Sequence, residues 1–239
     1  MEGKSFEDEL EEFVAGVITG KKELAIERKM LLMSVASFAL LLLAGAGAYE
    51  IYLKNISEIG KFVPYLIYTA ISAVALTAAI AHYYAHRRQF ACMEGMMVGM
   101  TIGMMGGFLF GAIIGATNGM FVGSVFGMAI GMVAGAWCGK CCGIMGLMEG
   151  LMGGLMAGTM GAMLTVMMAF DNLALFMPIL IASCLAIMGC FAYMVHETAG
   201  QREKEKAIGF AAFFALALLL SIITAAAMLF APRSSAVVL

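Results

Sequence analysis

From Gly95 to Gly143 glycine occupies every fourth position, thirteen times without a miss, and a looser ladder continues through Gly146, Gly150, Gly154, Gly158 and Gly161. Residues four apart on a helix fall on one side, so the ladder draws a seam with no side chains along it. Such a seam lets two backbones come together. The property matters most in lipid, where helix association has little hydrophobic drive and depends on contacts between small residues. The pattern therefore predicts central helices that pack backbone to backbone. A close-packed homo-oligomer would use the same device, so glycine alone does not separate packing within one chain from packing between chains.

The surroundings of the ladder place it in a membrane. Apolar residues make up 63% of the chain and charged residues 13%, far from the usual balance of a soluble domain. Between Cys92 and Phe170 only Glu94, Lys140 and Glu149 are charged. A hydrocarbon layer about 30 Å thick needs roughly 20 apolar residues per helix. Segments of that kind are predicted at 30–49, 62–85, 91–116, 119–139, 143–169, 174–195 and 207–231. The central cuts fall at Thr117–Gly119 and Cys138–Gly143, which hold the polar and glycine residues that tight turns require. The expected fold class is thus all-α, a polytopic transmembrane bundle of about seven spans at 30–231 with a glycine- and methionine-rich centre at 92–170.

Basic residues set the expected orientation. Lys4, Lys21, Lys22, Arg28, Lys29, Arg87, Arg88, Lys140, Arg202, Lys204 and Lys206 fall on one side, against Lys54, Lys61 and Arg233 on the other. This puts the N-terminus in the cytoplasm and the C-terminus, with its short tail at 232–239, outside; the expected location is a prokaryotic plasma membrane. The aromatic residues agree, with Tyr49, Tyr52, Tyr65 and Tyr68 at outer ends and Tyr83, Tyr84, Trp137 and Tyr193 at inner ends.

The segment 1–29 is acidic and lacks the basic-then-apolar order of a signal peptide, so the mature chain is expected to start at Met1. Ser5 and Asp8 read as a capping box, and Phe6, Leu10, Phe13, Val14, Val17 and Ile18 form one helical stripe. This short cytoplasmic amphipathic helix either packs under the bundle or docks a protein partner. A net charge of −2 gives no electrostatic case for nucleic acid.

An internal repeat relates CMEGMMVGMTIGMMGG at 92–107 to LMEGLMGGLMAGTMGA at 147–162, an offset of 55 residues that matches Glu94 with Glu149. It predicts that the third and fifth spans run parallel with both glutamates at one depth. A carboxylate within a span is costly and usually faces the protein interior or a water-filled cavity, unless it snorkels to the interface. Nearby lie soft and borderline metal ligands: His82 and His86 at the inner end of span two, Cys92 opening span three, Cys138, Cys141 and Cys142 in the turn CGKCC, and His196 closing span six, with Cys184 deeper in the membrane.

Seventeen of the twenty-four methionines lie between Met93 and Met168, many four apart, as in Met100 and Met104 or Met152 and Met156. Thioethers and thiolates together favour Cu(I) or a similarly soft ion. Methionine also fills irregular gaps beside glycine, and buried cysteine often acts as a small hydrophobe, so packing is the competing explanation.

The combination of Met-x-x-x-Met with Gly-x-x-x-Gly resembles the trimeric three-span copper transporters, a likeness of short patterns that assigns no residue roles. EGLMGGLMAGTMGAMLTVMM at 149–168 is similar to a string in uncharacterised glycine- and methionine-rich integral membrane proteins of bacteria and archaea, and that resemblance brings no activity.

Three functions follow as expectations. The first is transport or handling of a soft metal ion such as Cu(I), with His82, His86, Cys92, Glu94, Cys138, Cys141, Cys142, Glu149 and His196 in a cytoplasmic vestibule and Met100, Met104, Met152, Met156 and Cys184 as a relay through the bundle. The second is a structural protein of a larger complex or glycine-packed oligomer. A membrane-embedded metal- or thiol-dependent enzyme ranks last, since no serine, histidine and acid trio presents itself.

Overall fold

The computed structural model describes residues 25–48, 63–86, 92–199 and 209–232. The amphipathic helix expected before residue 25 lies outside them. The described residues form seven α-helices: α1 (Ala25–Ala48), α2 (Val63–His86), α3 (Cys92–Asn118), α4 (Met120–Gly139), α5 (Gly143–Met168), α6 (Leu173–Ala199) and α7 (Phe210–Phe230). Strands are absent among the described residues. Among the described residues six helical stretches are long and apolar enough to cross a membrane, which suggests a multi-pass membrane protein; the longest, Met120–Met168, is folded back on itself as α4 and α5.

Helix gives way where the chain needs conformations that only glycine adopts readily. Gly119, at φ 104°, separates α3 from α4. A three-residue 3₁₀ turn, Lys140–Cys142, then leads to Gly143 at φ 69°, where α5 begins.

The glycine ladder builds the centre. α4 runs antiparallel to α3 and to α5, and its glycines meet glycines on both sides in successive layers. Gly135 lies between Gly103 and Gly150, Gly131 between Gly107 and Gly154, and Gly127 between Gly111 and Gly158. At one end Gly139 meets Gly99 and Gly146; at the other Gly123 meets Gly115 and Ala162. A Cβ added at Gly127 would stand 2.7 Å from the Gly111 Cα, and one at Gly123 only 2.5 Å from the Gly115 Cα. These contacts leave no room for a passage along the seam.

The layers also fix the register of the two parallel helices. Gly103 meets Gly150 and Met100 meets Gly153, pairs that are 47 and 53 residues apart rather than the 55 of the sequence repeat. These contacts put level residues about 50 apart, so Glu149 sits some five residues, roughly 7–8 Å, further along the bundle than Glu94. The expectation of two glutamates at one depth is corrected: α4 sets the register by fitting its own ladder to both neighbours, and the sequence likeness does not.

α2 joins this centre to the rest, packing against α3 as well as α1, α6 and α7. Its residues Ala73, Leu76 and Tyr83 share a buried cluster with Val98, Ile102 and Leu109 of α3 and Leu180, Cys184 and Val195 of α6. At one end Met30 and Met33 of α1 meet Ala85; at the other Ile113, Met177 and Met228 meet beside Tyr65 and Tyr68. Asn118 closes that second end, its buried amide donating to the carbonyls of Met228 at 3.3 Å and Ala231 at 3.0 Å.

Candidate functional site

The turn between α4 and α5 brings together three of the six cysteines, Cys138, Cys141 and Cys142. Cys138, in the last turn of α4, is buried, and its carbonyl accepts a hydrogen bond from the Tyr83 hydroxyl at 2.8 Å. Beside it the Trp137 indole N–H donates to the Tyr84 hydroxyl. Two anchors from α2 therefore hold the end of α4, and the 3₁₀ turn that follows presents Cys141 and Cys142.

The Cys141 and Cys142 sulfurs lie 3.4 Å apart, beyond the ~2.0 Å of a disulfide bond. Their floor is Gly95 in the first turn of α3. A Cβ there would stand 2.5 Å from the Cys142 Sγ and 2.8 Å from the Cys141 Sγ, so only glycine lets both sulfurs rest on the helix. Glu94, half-buried, precedes that floor, and Lys140 is exposed on the turn. Cys142 is also the N-cap residue of α5. Two parallel helices thus begin at the sulfur pair, and helix N-termini are where negative charge is stabilised.

The other candidates go elsewhere. Among the described residues no three His, Cys, Asp or Glu side chains come together in an arrangement able to hold a metal. Cys92 begins α3, one turn before the floor glycine; His86 ends α2, and His196 falls in the last turn of α6. The side chains of these three lie outside the described residues. His82 is buried but faces α1 and α6, on another side of α2 from Tyr83. Glu149 is exposed on the outer face of α5. Cys184 is buried in the cluster with Leu180, Ile181, Met188 and Phe191.

Methionine reaches the surface on both α3 and α5, with Met93 and Met97 exposed and Met100 partly so. Met100 and Met104 cover Gly153, their Cγ atoms 3.4 and 3.1 Å from the position a Cβ would take there. Met152 and Met156 point outward, 59% and 55% exposed, together with Met148, Met160, Met163 and Met167. They do not line the inside of the bundle. The physical reason is that glycine fills the α3–α4–α5 seam, and methionine on the same helices occupies the remaining faces.

Sequence reasoning assigned Tyr83 to the membrane interface and gave Gly95 no special part. The structure makes the first an anchor of the turn and the second its floor. Gly95 was legible as the start of the ladder, but its distinction from the other rungs depends on the fold of CGKCC. Compared with known proteins, the chain matches no family model, no curated protein and no solved structure.

Proposed function

We propose that this is a seven-span membrane protein, N-terminus inside, that handles a soft metal ion at its cytoplasmic end through the thiol pair Cys141 and Cys142. The observation that carries the reading is the placement of both sulfurs, 3.4 Å apart, on Gly95 at the start of two helices. Sulfur donors select Cu(I) and similarly soft ions over hard cations, which prefer oxygen. The alternation of α1 to α7 supports seven crossings, and Lys140 on the thiol turn and Arg28 on α1 agree with an inner end there.

The dense glycine seam favours binding and hand-over at the turn above conduction through the α3–α4–α5 centre. Metal binding requires deprotonated thiols and releases their protons. Anaerobic titration of the purified protein with Cu(I) against a chromogenic chelator tests the reading. The wild type is expected to hold copper that Cys141→Ser/Cys142→Ser lacks; equal retention would remove the thiol pair from the function.

One observation favours a second reading, an assembly role in which copies of the chain associate. The outer face of α5 carries Met148, Met152, Met156 and Met160 with Glu149 among them. A carboxylate on a lipid-facing surface is costly, and a neighbouring helix from a second copy would cover it. The mass of the protein in detergent, measured by light scattering, separates monomer from oligomer.

A further inference from the structure

Neighbouring side chains on a helical turn point about 100–120° apart, so the sulfurs of adjacent cysteines do not ordinarily meet. Here they do. Cys141 and Cys142 end the 3₁₀ turn Lys140–Cys142, and their sulfurs converge to 3.4 Å over Gly95, whose lack of a side chain leaves room for both. Neither is in a disulfide; Cys141 is exposed and Cys142 half-buried. Cys138, the nearest other cysteine in the sequence, is 1% exposed and packed in the cluster that holds Tyr83.

A bond between the two sulfurs would close a ring through the peptide that the residues share. Its formation is favoured by proximity, since the second sulfur already stands beside the first. Its persistence is not. Residues joined by a trans peptide have Cα atoms about 3.8 Å apart, short of the ~4.4–6.8 Å usual for disulfides, and a strained, exposed disulfide is readily reduced.

We propose that Cys141 and Cys142 form a thiol–disulfide exchange site, with low-molecular-weight disulfides as the oxidant. Cys141, the more exposed, gives its proton to water and attacks one sulfur of the small disulfide, breaking that S–S bond and expelling the first small thiolate. Cys142, likewise deprotonated, then attacks the Cys141 Sγ and expels the second. The protein loses two electrons and two protons, and the small disulfide becomes two thiols. The bonded pair has no thiolate to offer a metal, so exchange would switch metal handling off. That consequence rests on the metal reading above, whereas the exchange itself does not.

Metal-free full-length protein in detergent, reduced and desalted anaerobically, is incubated with oxidised glutathione and followed by intact mass and peptide mapping. The wild type is expected to lose two hydrogens without keeping glutathione, the new bond mapping to Cys141 and Cys142. Cys142→Ser should stop at a glutathione adduct on Cys141, and Cys141→Ser, left with the half-buried thiol, should react several-fold more slowly. Excess reduced glutathione should return both wild-type thiols. A lasting adduct on wild-type Cys141, a bond from either residue to another cysteine or a second chain, or a disulfide that survives reduced glutathione would overturn the proposal. Copper loading separates it from the metal reading. Where the bond forms but the reduced protein holds no copper, the metal reading alone falls; where the reduced protein holds copper and its thiols resist oxidised glutathione, the exchange site alone falls. Copper held by the reduced protein and essentially none by the oxidised form is the result expected.

Discussion

The Tyr83 hydroxyl donates a 2.8 Å hydrogen bond to the main-chain carbonyl of Cys138, joining α2 to the last turn of α4. Both residues are buried, so neither group has water as a ready substitute. Tyr83→Phe keeps the ring and removes the donor. It is expected to cost about 0.5–1.5 kcal/mol, the usual net contribution of one hydrogen bond. Thermal unfolding in detergent should register the loss, and thiol labelling of Cys141 should quicken as its turn loosens.

Glycines in this chain are not equivalent, and substitution should sort them. Gly127→Leu drives a side chain into the Gly111 backbone and should prevent the α3–α4–α5 centre from forming, since overpacking costs at least ~1–3 kcal/mol even where neighbours can shift. Gly45→Ala meets nothing within 4 Å and sits inside α1, so it should be neutral or stabilising by about 0.5–1 kcal/mol. Yield of monodisperse protein and melting temperature distinguish the two.

Gly95→Ala is the informative intermediate case. The nearest atoms are the two cysteine sulfurs, at the ends of short side chains, rather than backbone. The bundle should therefore still form while the sulfurs are pushed from their resting place. The expected result is near-normal thermal stability with weakened Cu(I) retention in the chelator competition.

At the opposite end, Asn118 is 1% exposed and donates to two carbonyls in the last turn and C-cap of α7. Its own Oδ1 accepts from the Thr117 hydroxyl at 2.8 Å. Asn118→Leu leaves those groups without their partner and should destabilise the protein by roughly 1–3 kcal/mol. Hydrogen exchange should show the end of α7 fraying first.

Much of the fold was legible because membrane helices announce themselves by length and apolarity. The breaks at Gly119 and Gly143 were legible because a turn there needs glycine. Facing was harder to read. Helices that are apolar on every side carry no amphipathic stripe, so nothing in the sequence tells that Tyr83 turns toward Cys138 while its neighbour His82 turns toward α1 and α6. Register was hidden for a different reason. Glu94 and Glu149 match in the repeat, yet their depths follow from the ladder of α4 between them. Of the candidate site, the cysteines of CGKCC were visible from their spacing, whereas the outward direction of Met152 and Met156 emerged only once glycine had claimed the inner faces.

The outward methionines yield a further expectation. Met152→Leu/Met156→Leu keeps bulk and apolarity while removing sulfur, and both positions are remote from the turn. Cu(I) retention should be unchanged, as read by the same chelator competition.

The central claim is tested most directly by copper content after anaerobic Cu(I) loading and desalting, compared between the wild type and Cys141→Ser/Cys142→Ser of equal melting temperature. About one copper per wild-type chain, and essentially none in the double variant, is the predicted result. Wild-type protein emerging without copper, or a double variant that keeps it, would contradict the account.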